Sequence, residues 1–555
     1  MIFHEAVARA LADAGITTVF GVIGDANLYM MDSFERVAGG TYISTSNEAG
    51  AVLAANGYAR TSRGLGVATV THGPALTNTV TALHESVKEA TPIVVIAGDT
   101  AVADRENLQN ISQRDVVLAS GAGFEQVRTP QSFAEDLATA IRRAHLEKRP
   151  IVLNVPIEFQ WLDVEYQPAP VRVIDRQVQE PDPAALDAAV GIIASARRPI
   201  VIAGRGATSP AARAALLALA ERIGAPVATT LRGKDLFRGE RFNLGIFGTL
   251  SHEVGLNTIN SSDVVIAFGA GLNQWTTAEG SLLDKKQVVQ VDVERAAINR
   301  WAMSDAAIVG DAAKVAETIV SWLDEAEVPA TGFASNELAE QLVAQEAAEH
   351  KDRSANGTVD IRTALRRIDA VFPADRTLVN DGGRFVFTSF TDVHVPEPHA
   401  YVHTVNFGSI GLGMGNAVGA YFGNPDRPVL LVTGDGGFML GGLAEFNTAV
   451  RHGVDLVVIV LNDGAYGAEH IQFKRKDMDP AISTFKWPDF GPVATALGGD
   501  GYTVRTLDEL DAALEAERRS ESRVLVLRGA GRAFSAGFDV SSDAEEIAHG
   551  MDAVE

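Results

Sequence analysis

There is no cysteine among the 555 residues. That excludes disulfides, thiolate metal sites and a cysteine nucleophile, and it suits a reducing compartment, so the expected location is the cytoplasm. No apolar run reaches the roughly 18–20 residues of a membrane span, and no membrane association is expected. The opening stretch, MIFHEAVARALADAG, lacks the basic segment and long apolar core of a secretory leader. Its Phe3, Val7, Ala10 and Leu11 recur at helical spacing instead. Basic residues are the minority: 47 Lys and Arg against 71 Asp and Glu leave a formal net charge of −24, which argues against nucleic-acid binding. Low-complexity tracts and short-period repeats are also missing.

What remains has the composition of a globular chain, 46% apolar and 21% charged. Its length allows about three to four domains. Short β-branched runs closed by Gly, Asp or Pro alternate with helix-like stretches: TTVFGVIG, GVATVTHG, PIVVIAGD and RPIVLNVP, then RPIVIAGRGA, DVVIAFGAG and QVVQVDVE, then TLVNDGG, RPVLLVTGDGG, DLVVIVLNDG and RVLVLRG. The alternation predicts an α/β protein of three doubly wound parallel-sheet domains. We place them at residues 1–165, 184–328 and 355–530, with a C-terminal extension at 531–555. A Pro- and acid-rich linker, Trp161–Pro183, and a polar helix-like connector, SNELAEQLVAQEAAEHKDRSANG, separate them. The first and third blocks share one strand–helix rhythm.

The stretch LVTGDGGFML raises a chemical question. Asp435 closes a buried strand, and a carboxylate there is costly unless something binds it. Gly434, Gly436 and Gly437 let the backbone turn and approach a phosphate closely. One strand–helix–strand unit later, DLVVIVLNDG ends in Asn462-Asp463-Gly464. Parallel sheets bind ligands at the carboxyl ends of their strands. A carboxylate, an amide oxygen and a loop carbonyl make a hard-oxygen site of the kind that holds Mg²⁺ with phosphates. Taken singly, each is also an ordinary turn residue after a strand.

GDG followed by this Asn resembles the signature of thiamine-diphosphate-dependent enzymes. The full length resembles their acetolactate synthase, pyruvate decarboxylase and benzaldehyde lyase type, with pyrimidine-binding, central and diphosphate-binding domains. The resemblance implies thiamine diphosphate and Mg²⁺ as cofactors, with Asp435, Asn462 and the Gly464 carbonyl as metal ligands and Ala465 and Tyr466 beside them. STSNEAGAVLAANGYAR resembles the segment bearing the catalytic glutamate, here Glu48, which would keep the cofactor's aminopyrimidine N1′ protonated. NFGSIGLGMGNAVGA resembles the stretch that grips the pyrimidine, through Gly408, Ser409 and Ile410. TLVNDGGRF would put Asp381, Gly382 and Gly383 near the diphosphate.

Residues around the reacting carbon set the reaction. GVIGDANLYMMD resembles the GDxN segment of pyruvate decarboxylases, so Asp25 maps to an active-site acid. ATVTHGPALTN places His72 where acetolactate synthases have a serine, and an imidazole there could move protons near neutral pH. ENLQNISQRDVV holds Gln109 and Gln113, of which Gln109 is favoured against the substrate oxygen. Glu469 lies one residue out of register with a decarboxylase glutamate and also suits a solvated first helical turn.

The expected activity is C–C bond cleavage or carboligation on a small-molecule 2-oxo acid or 2-diketone, acetolactate-synthase-like. A non-biosynthetic 2-oxo acid decarboxylase or a cyclic diketone hydrolase is the alternative. A flavin- or NAD-linked oxidoreductase is a different class, but AGRGATSP falls short of its G-x-G-x-x-G pattern. FAD remains open: acetolactate synthases bind it in the central domain, whereas this chain has GAGLNQWTTAEG in place of their acidic, arginine-bearing loop. The resemblance also implies a homodimer or homotetramer with the cofactor at the subunit interface. Residues 527–540, LRGAGRAFSAGFDV, resemble a stretch of the enoyl-CoA hydratase family.

Overall fold

The computed structural model describes residues 1–173, 180–355, 357–517 and 522–528. The expected C-terminal extension lies outside these residues, as do part of the first linker and all but the start of the enoyl-CoA-hydratase-like stretch. Three six-stranded sheets are present. The first runs Thr41–Ser44, Thr18–Gly21, Gly66–Val70, Ile93–Asp99, Pro150–Pro156, Gly123–Gln126. The third runs Tyr401–His403, Thr377–Asn380, Val429–Gly434, Leu456–Asn462, Ser522–Arg528, Asp500–Val504. The two have the same strand order. The middle sheet runs Asn243–Ile246, Val227–Thr229, Pro199–Ala203, Val264–Phe268, Gln287–Asp292, Ala306–Val309, the dinucleotide-fold order. Strand pairs run parallel, as in Gly21↔Thr69 and Val432↔Ile459. Three parallel-sheet α/β domains are therefore what the alternating pattern forms. The aliphatic runs are the central strands, covered by helices on both faces; Val429–Gly434 is buried up to its closing glycine.

The strand order locates the sites. In the first sheet the chain leaves Thr18–Gly21 for the outer strand on one side, then returns on the other side as Gly66–Val70. A crevice opens at such a switch point, beyond the carboxyl ends of the two strands. Asp25 and His72 follow those two ends. The third sheet repeats this between Thr377–Asn380 and Val429–Gly434, which are followed by Asp381 and Asp435.

The chain divides into two compact units, one holding the first and third sheets and the other the middle sheet. Inside the first unit, helices Glu48–Ser62 and Gly413–Gly423 pack face to face along stripes of Gly and Ala. A Cβ on Gly57 would lie 2.1 Å from the Asn416 carbonyl oxygen, and one on Gly419 would lie 1.8 Å from that of Ala54. Both obstacles are backbone and cannot swing aside. Buried Asn56 donates through Nδ2 to Asn416 Oδ1 at 2.9 Å across the same seam. Gly419→Ala is therefore expected to destabilise the unit by about 1–3 kcal/mol. Chemical denaturation measures this, and an unchanged midpoint would mean the helices do not meet this closely. No helix among the described residues is long and apolar enough to cross a membrane.

Candidate active site

At the switch point of the third sheet, Asp435 is 3% exposed. Its Oδ1 accepts from the Gly436 N–H and its Oδ2 from the Gly464 N–H, both at 2.7 Å. The Gly464 N–H also donates to Asn462 Oδ1 at 3.1 Å, so the Asp435 and Asn462 oxygens converge on one point. Gly464 has φ +67°, the left-handed region that glycine adopts freely. Its carbonyl accepts from the Phe485 N–H at 2.7 Å, which leaves one lone pair for another partner. Burial, and then the neighbouring Asp463 carboxylate, push Asp435 up to about 7.

A carboxylate buried beside another carboxylate, with an amide oxygen turned to the same point, is the donor chemistry a hard cation needs, and these residues fit Mg²⁺. Among the described residues no group of three or more His, Cys, Asp or Glu side chains could hold a metal, so any cation held here relies on amide and carbonyl oxygens. Arg384, which sequence reasoning passed over, lies near Asp463 and favours its charged form. A lone basic residue directly after a strand-end Gly-Gly was the available signal, and its charge suits a diphosphate.

Around this cluster, Ile410 packs against Gly382 and Gly436, where added Cβ atoms would meet it at 3.2 and 3.8 Å. The Tyr466 ring lies over Gly436, and Ala465 is buried against the isolated bridge to Thr484. Gly408 is open on its Cα side, with no atom within 4 Å of an added Cβ. Ser409 and Gly383 belong to the same two loops, while Gly434 and Gly437 flank Asp435.

Asp381 follows the strand Thr377–Asn380. Its buried carboxylate accepts from the Gly411 and Leu412 amides, from its neighbour Gly382 and from Thr433 Oγ1 at 2.9 Å. It braces the 408–412 loop from inside, because a strand-end acid bordered by loop amides satisfies them.

At the first sheet's switch point, Thr71 Oγ1 donates to Asp25 Oδ1 at 3.0 Å, and His72 Nδ1 lies 3.3 Å from Thr71 Oγ1 and 3.8 Å from Asp25 Oδ1. His72 is 1% exposed, whereas the Asp25 side chain is 63% exposed. The Gln109 backbone lies against Gly73, just after His72. Gln113 is buried and committed: it accepts from the Gly73 N–H and donates to Gly98 O, both at 2.8 Å. Gln109 is thus the glutamine left beside the His72 loop.

Glu48 opens its helix, with Asn47 as cap through Oδ1 to the Ala49 N–H at 2.8 Å. It is half-buried, and its Oε2 accepts from Asn78 Nδ2 at 3.0 Å. The loop ahead of it is held from the third domain by buried Glu445, which accepts from the Ser46 N–H at 3.2 Å. Among the described residues no hydrogen bond joins Glu48 to the Asp435–Asn462 cluster. Glu469 is exposed in the first turn of Gly467–Arg475, as a solvated acid would be.

In the second unit, the loop GAGLNQWTTAEG contributes to an open cavity of about 570 Å³ that also meets Asp284, Trp301 and Met303. Its lining has two acids, Glu279 and Asp284, and no basic side chain.

Two strand-end clusters on twin sheets, one suited to a cation and diphosphate and one rich in proton-handling groups, define a class. The chain belongs to the thiamine pyrophosphate enzymes: residues 1–119 match the N-terminal TPP binding domain, 186–319 the central domain and 381–527 the C-terminal TPP binding domain. Its relatives include a sulfoacetaldehyde acetyltransferase of Roseovarius nubinhibens, 29% identical over 93% of this chain and 89% of that one. A probable 2-ketoarginine decarboxylase of Pseudomonas aeruginosa is 29% identical over 92% and 91%. A probable acetolactate synthase large subunit of Methanocaldococcus jannaschii is 24% identical over 92% and 89%.

Proposed function

We propose that the chain is a Mg²⁺- and thiamine-diphosphate-dependent enzyme that breaks the C–C bond beside the carbonyl of a 2-oxo acid, then protonates the acyl fragment or transfers it to an acceptor. The observation that carries this reading is the Asp25–Thr71–His72 hydrogen-bonded group at the first switch point. When bound, thiamine diphosphate supplies the electron sink that C–C cleavage needs.

This chain's residues do the rest. Asp435, Asn462 and Gly464 would hold the cation, and Arg384 would offer its charge to the diphosphate. Glu48 holds a proton at the pyrimidine N1′. Buried His72 gives a proton to, or takes one from, the substrate oxygen, and Thr71 and Asp25 relay it to solvent through the exposed Asp25 carboxylate. Gln109 orients that oxygen. The family resemblance favours a second copy completing each site.

Incubation with thiamine diphosphate, Mg²⁺ and a panel of substrates tests the reading by product identification. Pyruvate is expected to release CO₂ and give acetaldehyde, or acetolactate or acetoin if the acyl group is transferred. Larger 2-oxo acids, cyclic diketones and sulfoacetaldehyde, each with and without pyruvate, separate decarboxylation, hydrolysis and acetyl transfer. No conversion anywhere in the panel would sink the proposal.

A further inference from the structure

Nothing above uses the buried acids of the Val80–Glu89 helix, yet both reach out of the first domain. Glu85 Oε1 accepts from the Asn406 N–H at 3.1 Å and from Asn406 Nδ2 at 2.6 Å, and its Oε2 accepts from the Phe407 N–H at 2.7 Å. Glu89 Oε2 accepts from Asn406 Nδ2 at 2.7 Å. One turn of the same face adds His84, stacked on the Phe407 ring at 4.6 Å and 20°, and Lys88, whose Nζ lies 5.8 Å from that ring's centre. Phe407 is nevertheless 41% exposed, so hydrogen bonds and stacking hold it rather than burial.

Gly408 follows immediately, at φ +77° with open space beside it. Three and four residues further on, Asp381 catches the Gly411 and Leu412 amides. The loop is thus pinned at both ends, by the first domain at 406–407 and by the third domain's own acid at 411–412. Residues 408–410 span the two anchors, and Ile410 rests against Gly382 and Gly436.

We propose that Glu85 is a positioning residue for the pyrimidine half of the cofactor: it fixes the Asn406–Phe407 backbone, so that Gly408 and Ile410 are preset before the cofactor arrives. This rests on the reading of the site given above. A span already ordered loses less conformational freedom when a ligand binds. A glutamine cannot replace Glu85, although it has the same shape. Both Glu85 oxygens accept, and an amide would turn one of them into a donor facing an N–H.

The test compares Glu85→Gln with the native full-length enzyme by calorimetry, titrating either thiamine diphosphate or inorganic diphosphate, each with Mg²⁺. Inorganic diphosphate needs only the Asp435 side of the site. Glu85→Gln is expected to bind thiamine diphosphate about tenfold more weakly while inorganic diphosphate changes by less than about twofold. His84→Ala, which removes only the stacking partner, should show the same pattern at about threefold and stands in if Glu85→Gln does not fold. Unchanged thiamine diphosphate affinity, or equal weakening of both ligands, would overturn the proposal. Native protein that binds neither ligand would instead overturn the reading of the site itself.

Discussion

Asp435→Asn is expected to weaken Mg²⁺-dependent thiamine diphosphate binding by more than about 100-fold, since loss of a supporting hydrogen bond around a metal already costs 10–100-fold and this change removes a ligand charge. The same variant also turns one acceptor into an amide donor facing a backbone N–H, since both Asp435 oxygens accept from the Gly436 and Gly464 amides. Burial holds Asp435 at about 7, against 3.8 for an ordinary Asp. A carboxyl raised in this way contributes stability that is complete below the unfolded value and is lost as pH rises through the folded one. At pH 8 the ionised side chain is therefore a burden on the order of a few kcal/mol, and the amide exchanges that burden for a donor facing a backbone N–H. Thermal melts of the cofactor-free variant should lack the decline in stability that Asp435 gives the native protein between about pH 4 and pH 7, beside the collapse in binding. Native-like cofactor affinity in the variant would remove Asp435 from the metal site.

Glu48→Gln is expected to lower turnover by about 10²–10⁴-fold, the usual worth of a proton-transfer group. Structure should survive the change. Glu48 is half-buried, and the one hydrogen bond it accepts, from Asn78, can equally be accepted by the glutamine oxygen. Thiamine diphosphate affinity is expected to stay within about tenfold, so the loss falls on kcat. Full activity in this variant would exclude Glu48 as the group that holds the N1′ proton.

The fold was legible because each central strand is a continuous aliphatic run ending in Gly, Asp or Asn, a pattern that only a doubly covered parallel sheet makes sense of. Asp435 and Asn462 were legible for the same reason, since strand ends can be counted. The partners of Asp381 were not legible, because a strand-end acid looks alike whether it faces a ligand or its own loop. Folding brings the Gly411 and Leu412 amides to it from 30 residues on. Gln109 was favoured over Gln113 on the resemblance alone; that Gln113 is buried and bonded to Gly73 and Gly98 could not be read four residues along one segment. Glu85 and Glu445 left no local trace at all. Their partners are Asn406 and Ser46, more than 300 residues away along the chain, and neither periodicity nor spacing carries information over that range.

The close-packed glycine seam has a consequence for synthesis. Asn56 and Asn416 lie 360 residues apart. At about 5–20 residues per second, roughly 20–70 s separate the emergence of one helix from that of its mate. Throughout that interval the Glu48–Ser62 face waits without its partner. A waiting surface of leucine or phenylalanine would invite other nascent chains to stick. One mainly of alanine and glycine exposes little apolar area, so a joint packed this closely in the folded enzyme is a weakly adhesive surface on the ribosome.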